Sequence, residues 1–158
     1  MLRGRSGCRT AFLVCGSLVA SGLSMLAAPP ASATGSLVVV DDEYLDDDDP
    51  MMWEAGNTYY IPDDVTLGDT RELTIEAGVV VKLGVGVTFD VYGRLRTEVG
   101  EERTVFTSVN DDEVGEVVTG ASSGVPAAGD WARLLIDEGS DVALDHVDVR
   151  YGGNGATA

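Results

Sequence analysis

Cysteine and histidine are nearly absent from this sequence. Its two cysteines, Cys8 and Cys15, both lie in the first 33 residues, and His146 is the single histidine. Residues 34–158 therefore have no thiol for a disulfide or a cysteine metal site. A lone histidine cannot form a multi-histidine metal site, and no Ser–His–acid arrangement is visible. We interpret His146 as a structural or surface residue, and stability has to come from packing or bound ions.

Basic residues are also scarce once the N-terminal segment is set aside. Arg3, Arg5 and Arg9 are the charged residues of positions 1–33, so residues 34–158 carry all 27 acidic residues and seven of the ten basic ones, a net charge of −20. Such a surface repels phosphate backbones and attracts cations. The charge therefore argues against a nucleic-acid partner.

The N-terminal segment has the pattern of a secretory signal. The three arginines precede an apolar run over residues 11–20, and residues 31–33 read Ala-Ser-Ala, a typical cleavage pattern. The alternative is a membrane anchor, but the apolar run is interrupted and shorter than the roughly 20 residues that a span needs. We predict a signal peptide over residues 1–33, export to the cell envelope or beyond, and no membrane attachment after cleavage.

Residues 34–56 are dominated by negative charge. Residues 41–49 contain seven acids before Pro50. Like charges at this density repel one another and extend the chain. The composition therefore predicts an acidic linker over residues 34–56, ahead of a folded domain over residues 57–158.

An internal repeat of 22 residues marks that domain. Residues 65–67 recur as residues 87–89, and residues 73–78 recur as residues 95–100 at the same offset. Residues 134–139 look like a third copy of the second motif. Its offset of 39 from residues 95–100 predicts a loop insertion at about residues 109–130.

The repeat unit has the alternation of β-strands. Apolar and polar residues alternate through the motifs, helical spacing is absent, and glycines interrupt the runs at regular intervals. A sandwich joined by hairpins does not keep one fixed period, whereas a solenoid repeats one set of strands and corners. The pattern predicts an all-β solenoid of about three coils. Leu73, Leu95 and Leu134 are expected to stack inside it, with an N-terminal cap formed around residues 59–67.

The coil sequence resembles a known family. Residues 73–83, Leu-Thr-Ile-Glu-Ala-Gly-Val-Val-Val-Lys-Leu, are similar to the Leu-Thr-Ile-Glu-Pro-Gly-Val-Val-Val-Lys-Phe coil of secreted bacterial right-handed parallel β-helix proteins. Residues 105–108, 129–131 and 146–153 resemble later motifs of the same proteins. The likeness implies the right-handed parallel β-helix fold of the pectate-lyase-like superfamily. Because similar proteins run for more coils, we expect this chain to be truncated.

The insertion contains a candidate calcium site. Asn110, Asp111, Asp112 and Glu113 are four consecutive oxygen-bearing side chains, and hard oxygen ligands suit calcium. The alternative is an Asx-type turn in solvent. No other cofactor is indicated.

Three aromatic residues are candidates for ligand binding: Tyr92, Trp131 and Tyr151. Flat apolar faces with a polar tip can stack on sugar rings. Trp131 opens a strand beside the insertion, so it is equally suited to packing against the coil interior.

Catalysis has weak support in the sequence. Lyases on the scaffold that the chain resembles use stacked acids and a basic residue, for which the candidates here are Asp137, Asp141, Asp145 and Asp148 with Arg133 or Arg150. Their spacing matches no lyase signature. We therefore predict a non-catalytic secreted or cell-surface module that binds an extracellular polysaccharide or a surface protein. The alternative is the N-terminal fragment of a carbohydrate-active enzyme, a lyase or hydrolase, without its catalytic coils.

Overall fold

The computed structural model describes residues 35–46 and 50–153. The predicted signal peptide, residues 1–33, lies outside the described residues. The described part of the chain forms short strands and one helix, in the order β1 (Leu37–Val39), α1 (Asp42–Leu45), β2 (Met51–Trp53), β3 (Thr58–Ile61), β4 (Val65–Leu67), β5 (Glu72–Ile75), β6 (Val80–Leu83), β7 (Thr88–Val91), β8 (Arg94–Thr97), β9 (Thr104–Ser108), β10 (Arg133–Ile136), β11 (Asp141–Ala143) and β12 (Val147–Val149).

The strands form three parallel sheets that the chain visits in turn. Sheet I has the order β1-β3-β6-β9-β12, sheet II the order β4-β7-β10, and sheet III the order β2-β5-β8-β11. Each strand pairs in parallel with the strand of the next coil, and none pairs with its neighbour in sequence. The all-β, parallel architecture agrees with the sequence prediction and is consistent with a β-solenoid.

The interior is filled by columns of side chains that repeat from coil to coil. In sheet III, Met51 pairs with Leu73, Leu73 with Leu95, and Leu95 with Val142. Leu73 and Leu95 are fully buried. Burying one leucine stabilises the fold by roughly 1.5–3 kcal/mol, so a column of such residues is a main source of stability in residues 34–158, which contain no cysteine.

The predicted third copy of the leucine motif was assigned to the wrong sheet. Leu134 does not stack on Leu95 but pairs with Phe89 in sheet II, and Val142 takes the position above Leu95. Alternation with period 2 decides which side chains point inward but carries no information about which of three sheets a strand joins. A strand of sequence Leu-x-Ile fits sheet II as well as sheet III. Because the insertion has no repeat, the number of residues between stacked strands cannot be counted across it.

The register within sheet II also differs from the repeat seen in the sequence. Val65 pairs with Phe89, an interval of 24 residues. The repeat seen in the sequence instead matches Val65 with Val87, an interval of 22 residues. Two extra residues at this corner are compensated at the next, so partners on β5 and β8 are again 22 residues apart. A shift of two residues leaves the inward face unchanged, because successive side chains alternate between the two faces.

Residues 34–56 differ from the predicted acidic linker. They contain β1, which pairs with β3, and β2, which pairs with β5. Val40, Leu45 and Trp53 are buried in the core. These apolar side chains gain from burial, while the described acids beside them, Asp41, Asp42, Glu43 and Asp46, are exposed, so their charge does not prevent folding.

The N-terminal end of the coils is covered by α1 together with β1 and β2, one coil earlier than predicted. Asp41 caps α1, with its carboxylate accepting a hydrogen bond from the Tyr44 N–H at 2.9 Å. The Asp42 carboxylate accepts from the backbone N–H of Thr66 at 3.0 Å. Because β4 is the outer strand of sheet II, this bond satisfies a backbone donor at a sheet edge.

The opposite end of the sheets is open in the described part of the chain. β10, β11 and β12 are the last strands of their sheets. Large apolar residues on them are exposed, including Ile136 at 48% and Val149 at 60%. Unpaired strand edges of this kind are able to pair with other strands.

Candidate functional site

A surface pocket of about 270 Å³ lies where sheet II turns into sheet III. Three consecutive coils contribute the same corner to it. The lining is formed by Asp69, Thr70 and Arg71 from the corner before β5 with Glu72 at the start of β5, by Tyr92 and Gly93 from the corner before β8 with Arg94 at the start of β8, and by Gly139 from the corner before β11 with Asp141 at the start of β11. We call this site the corner pocket.

Close backbone packing at Gly93 shapes the floor of the corner pocket. A Cβ atom on Gly93 would collide with the carbonyl oxygens of Gly68 and Arg71 in the coil below. The Gly93 N–H donates to the Leu67 carbonyl at 3.2 Å, and the Arg94 N–H donates to the Arg71 carbonyl at 2.9 Å. Glycine at this position therefore lets two corners stack directly.

Tyr92 is the exposed aromatic residue of the corner pocket. Its side chain is 41% exposed, and its backbone N–H is held by the Leu67 carbonyl at 2.9 Å. The neighbouring Val91 is fully buried, so the alternation of β7 directs Tyr92 outward. Tyr92 is one of the three aromatic residues that the sequence analysis named as candidates for ligand binding.

A row of paired charges runs across the pocket from coil to coil. Glu72, Arg94 and Asp141 are register partners on β5, β8 and β11. Arg94 Nη1 lies 3.2 Å from Glu72 Oε2, and Arg94 Nε lies 3.0 Å from Asp141 Oδ2. Arg96 Nη2 reaches the same Asp141 oxygen at 2.7 Å. We call these four residues the charge row.

The charge row also sets the protonation of its central residue. Hydrogen bonding and charge from Glu72, then from Asp141, raise the pKa of Arg94 above its ordinary value. Arg94 therefore stays charged at any pH of interest. Because the charge row is exposed, it adds little stability, and its role is to fix the positions of donors and acceptors around the pocket.

Trp131, the second aromatic candidate, is a packing residue rather than part of the corner pocket. Its side chain is 1% exposed, and its indole Nε1 donates to the Arg150 carbonyl at 2.7 Å. A Cβ on Gly152 would touch the indole ring at 2.7 Å. A ring enclosed on these sides has no free face for a sugar.

Tyr151, the third aromatic candidate, is likewise absent from the pocket lining. It is partly buried, packs against the hydrophobic core, and has a backbone φ of 59°. His146, at φ 55°, is exposed at the corner before β12, and its carbonyl accepts from the Thr104 N–H at 3.1 Å. Of the three aromatic candidates, Tyr92 alone lines the corner pocket.

Three of the four calcium candidates, Asn110, Asp111 and Asp112, hold the insertion in place through side-chain hydrogen bonds to different partners. Asp111 is 1% exposed, and its carboxylate accepts from Thr107 Oγ1 at 2.7 Å and from the Glu113 N–H at 3.2 Å. Asn110 accepts from the Ser123 N–H at 2.8 Å, and Asp112 accepts from Ser122 Oγ at 2.7 Å. Within residues 35–46 and 50–153, no three His, Cys, Asp or Glu side chains are grouped to hold a metal ion. Calcium binding at these residues stays a prediction.

Lys82 is the buried charged residue that the sequence did not reveal. Alternation with Val81 and Leu83 predicts a solvent-facing side chain, yet Lys82 is 0% exposed and its Nζ donates to the Asp111 carbonyl at 2.8 Å. The insertion covers the outer face of sheet I, where the Glu116 N–H also donates to Thr58 Oγ1 at 2.8 Å. The insertion has no repeat, and its packing over β6 leaves no pattern in the sequence of that strand. The burial of Lys82 therefore cannot be read from the alternation of residues in β6.

Burial of Lys82 makes stability depend on pH with a definite sign. Desolvation lowers the pKa of Lys82 below 10.5, and the nearby charges of Asp112, Asp111 and Glu116 only partly oppose it. In the pH window between the lowered pKa and 10.5, the unfolded chain binds more protons at Lys82 than the folded chain. The cost of burying the ammonium group therefore fades as pH rises through this window.

We expect the free energy of unfolding of the wild type to rise, relative to that of Lys82→Met, as pH increases from 7 towards 10.5. Methionine keeps the apolar stem and cannot titrate, and contributions from other groups cancel in the difference. Urea denaturation of both proteins across this pH range measures it. A difference that is flat or falls with pH contradicts the assignment.

Three of the acidic lyase candidates, Asp137, Asp141 and Asp148, have separate local contacts. Asp141 belongs to the charge row, whereas Asp148 lies 2.7 Å from Arg103 Nε and 3.3 Å from Arg150 Nη2. Asp137 accepts a hydrogen bond from the Gly139 N–H at 3.2 Å within its own turn. These contacts give each acid a local role at the surface.

No protein-family model, curated protein or solved structure matches the chain. The likeness to right-handed β-helix proteins therefore rests on the short motifs in the sequence. Among the described residues, no helix has the length and apolar character needed to span a bilayer.

Proposed function

We propose that this chain is an exported, non-catalytic right-handed parallel β-helix module of the pectate-lyase-like type, which binds an extracellular glycan at the corner pocket. The parallel register of all three sheets, the 22-residue coil and the motifs of residues 73–83 support the fold assignment. Right-handed crossovers between parallel strands are the rule in about 98% of cases, which supports the handedness. The arginine-rich start of the sequence supports export.

The observation that carries the binding proposal is the position of Tyr92 beside the charge row. An exposed aromatic ring offers a flat face for the apolar side of a sugar, and the guanidinium and carboxylate groups offer donors and acceptors for its hydroxyls. The backbone of stacked coils holds both in fixed positions. Few groups then have to be ordered on binding, which lowers its entropic cost.

Tyr92→Ala is expected to weaken glycan binding about tenfold, which corresponds to about 1.4 kcal/mol. The stacking face is lost, while the thermal stability stays close to that of the wild type because the side chain is exposed. Retention on insoluble cell-wall polysaccharide and a titration of soluble glycans measure the change. Val85→Ala is the matched control, because Val85 is 71% exposed and lies outside the pocket lining.

Two outcomes oppose the proposal. Equal binding by the wild type and Tyr92→Ala would mean that the glycan does not bind at the corner pocket. Calcium-dependent release of unsaturated products from polygalacturonate, followed by ultraviolet absorbance, favours the alternative of a carbohydrate-active enzyme. We expect no such release above a buffer control.

A further inference from the structure

The charges around the corner pocket are compensated by one another. The lining contains three acids, Asp69, Glu72 and Asp141, and two arginines, Arg71 and Arg94. Arg94 is shared between Glu72 and Asp141, while Arg71 lies 3.5 Å from Asp46. The lining is thus close to neutral, with a small excess of negative charge, and its arginines are already engaged by carboxylates.

The surroundings of the pocket oppose an anionic ligand. Residues 34–158 carry 27 acidic residues and seven basic ones. A carboxylate or sulfate group on the ligand would have to displace Glu72 or Asp141 from Arg94, against the field of the acidic chain. Neither the local charges nor the whole surface compensates for that displacement.

The same atoms suit an uncharged, hydroxyl-rich ligand. The contacts of the charge row use Glu72 Oε2 and Asp141 Oδ2, so these ion pairs do not involve the second oxygen of either carboxylate. A guanidinium has five N–H donors, and the ion pairs of Arg94 engage its Nε and Nη1 atoms. A hydroxyl both donates and accepts, so it can bridge a carboxylate oxygen and a guanidinium N–H without disturbing the ion pair.

Resting on the proposed function, we propose that the corner pocket binds a neutral pyranose ring of a glycan and discriminates against uronic-acid or sulfated rings. Tyr92 stacks on the ring, and Arg94 with Glu72 and Asp141 binds its hydroxyls. The volume of about 270 Å³ lies just below the range of roughly 300–1,000 Å³ typical of sites for drug-sized ligands, which fits one ring at a time.

The test compares glycans that differ at C6, where one member of each pair carries a carboxylate and the other an uncharged group. An array of cell-wall and extracellular glycans is screened first, and calorimetry then compares matched pairs. The pairs are galacturonan oligomers with their methyl esters, and β-1,4-glucan oligomers with their C6-oxidised forms. We expect the neutral member of a pair to bind at least tenfold more tightly, with both members weakened in Tyr92→Ala.

A charge variant separates local from global electrostatics. Asp141→Asn removes one negative charge from the pocket, and the preference for the neutral member is expected to fall by about fivefold, the effect of one charge about 4 Å away in a high-dielectric medium. Glu98→Gln removes one charge from an exposed position outside the lining and is expected to leave the preference unchanged.

The outcomes distinguish this inference from the proposed function. Tyr92-dependent binding in which the acidic member is equal or tighter overturns the inference and leaves the glycan-binding function standing. Equal falls in preference for Asp141→Asn and Glu98→Gln also overturn it, since discrimination would then come from total charge. Absence of binding to every glycan on the array overturns the proposed function and the inference together.

Discussion

We expect Trp53→Ala to lower the free energy of unfolding by about 3–5 kcal/mol, the range for a large aromatic side chain removed from a core. Trp53 is 0% exposed, and its ring stacks on Tyr59 with a centroid separation of 4.5 Å and an interplanar angle of 10°. Phe89 lies 6.5 Å from the Trp53 ring, on its own strand β7. Residues on two other strands, β3 and β7, therefore lose contacts when the indole is removed.

Met52→Ala is the control for this prediction. Met52 is the neighbouring residue on β2 and is 54% exposed, so its truncation is expected to change the free energy of unfolding by about 0.5 kcal/mol or less. Urea denaturation followed by circular dichroism measures both variants. If residues 34–56 were a solvated linker, the two variants would be equally mild, and that result would contradict the packing of β2.

The second large effect is expected for Leu95→Ala, at about 2–5 kcal/mol. Leu95 is fully buried between Leu73 and Val142 in the middle of sheet III. Its truncation leaves a cavity lined by residues of neighbouring coils, which the stacked backbone cannot easily close. Denaturant titration at neutral pH provides the measurement.

Leu134→Ala is the matched comparison, with the same chemical change on the last coil. Leu134 is only partly buried and belongs to β10, which ends its sheet. We expect a loss of less than about 2 kcal/mol, because part of the side chain already contacts solvent. Equal losses for Leu95→Ala and Leu134→Ala would mean that the two leucines occupy equivalent positions, contrary to the observed register.

The strands and their inward faces are readable from the sequence, but the identity of each sheet is not. Alternation around Leu73 and Leu95 predicts inward leucines, and both are buried as stated. The assignment of Leu134 failed because three sheets share the same alternation and the insertion hides the interval. The shift between Val65 and Phe89 escaped notice for a related reason, since a shift of two residues keeps the same side chains inside.

The N-terminal coil was hidden by its charge. The acids of residues 41–49 suggest a solvated segment, whereas Val40, Leu45 and Trp53 are spaced irregularly and lie in or beside different elements. No period marks them as one buried face, and their burial depends on the coils that follow. The acidic composition of the segment therefore does not reveal that these three side chains are buried.

Part of the candidate site could be predicted from the sequence and part could not. Tyr92 was named as a ligand-binding candidate for its aromatic character, and it lines the corner pocket, while its binding of a ligand stays a prediction. The charge row could not be predicted, because Glu72, Arg94 and Asp141 come together through pairing of three coils at unequal intervals. The burial of Lys82 is decided by the fold of a loop that has no repeat, and the alternation of residues in β6 does not reveal it.

The register of sheet III is the central claim, and directed disulfide formation tests it most directly. Arg96 and Ala143 are register partners on neighbouring strands. Strands in a sheet lie about 4.7–4.9 Å apart, within the Cα separation of about 4.4–6.8 Å that a disulfide needs. In a background with Cys8→Ser and Cys15→Ser, mass spectrometry of unreduced peptides should find an intramolecular disulfide in Arg96→Cys/Ala143→Cys and none in Arg96→Cys/Leu135→Cys. A disulfide in the second variant and not in the first would place Leu134 over Leu95 and contradict the account.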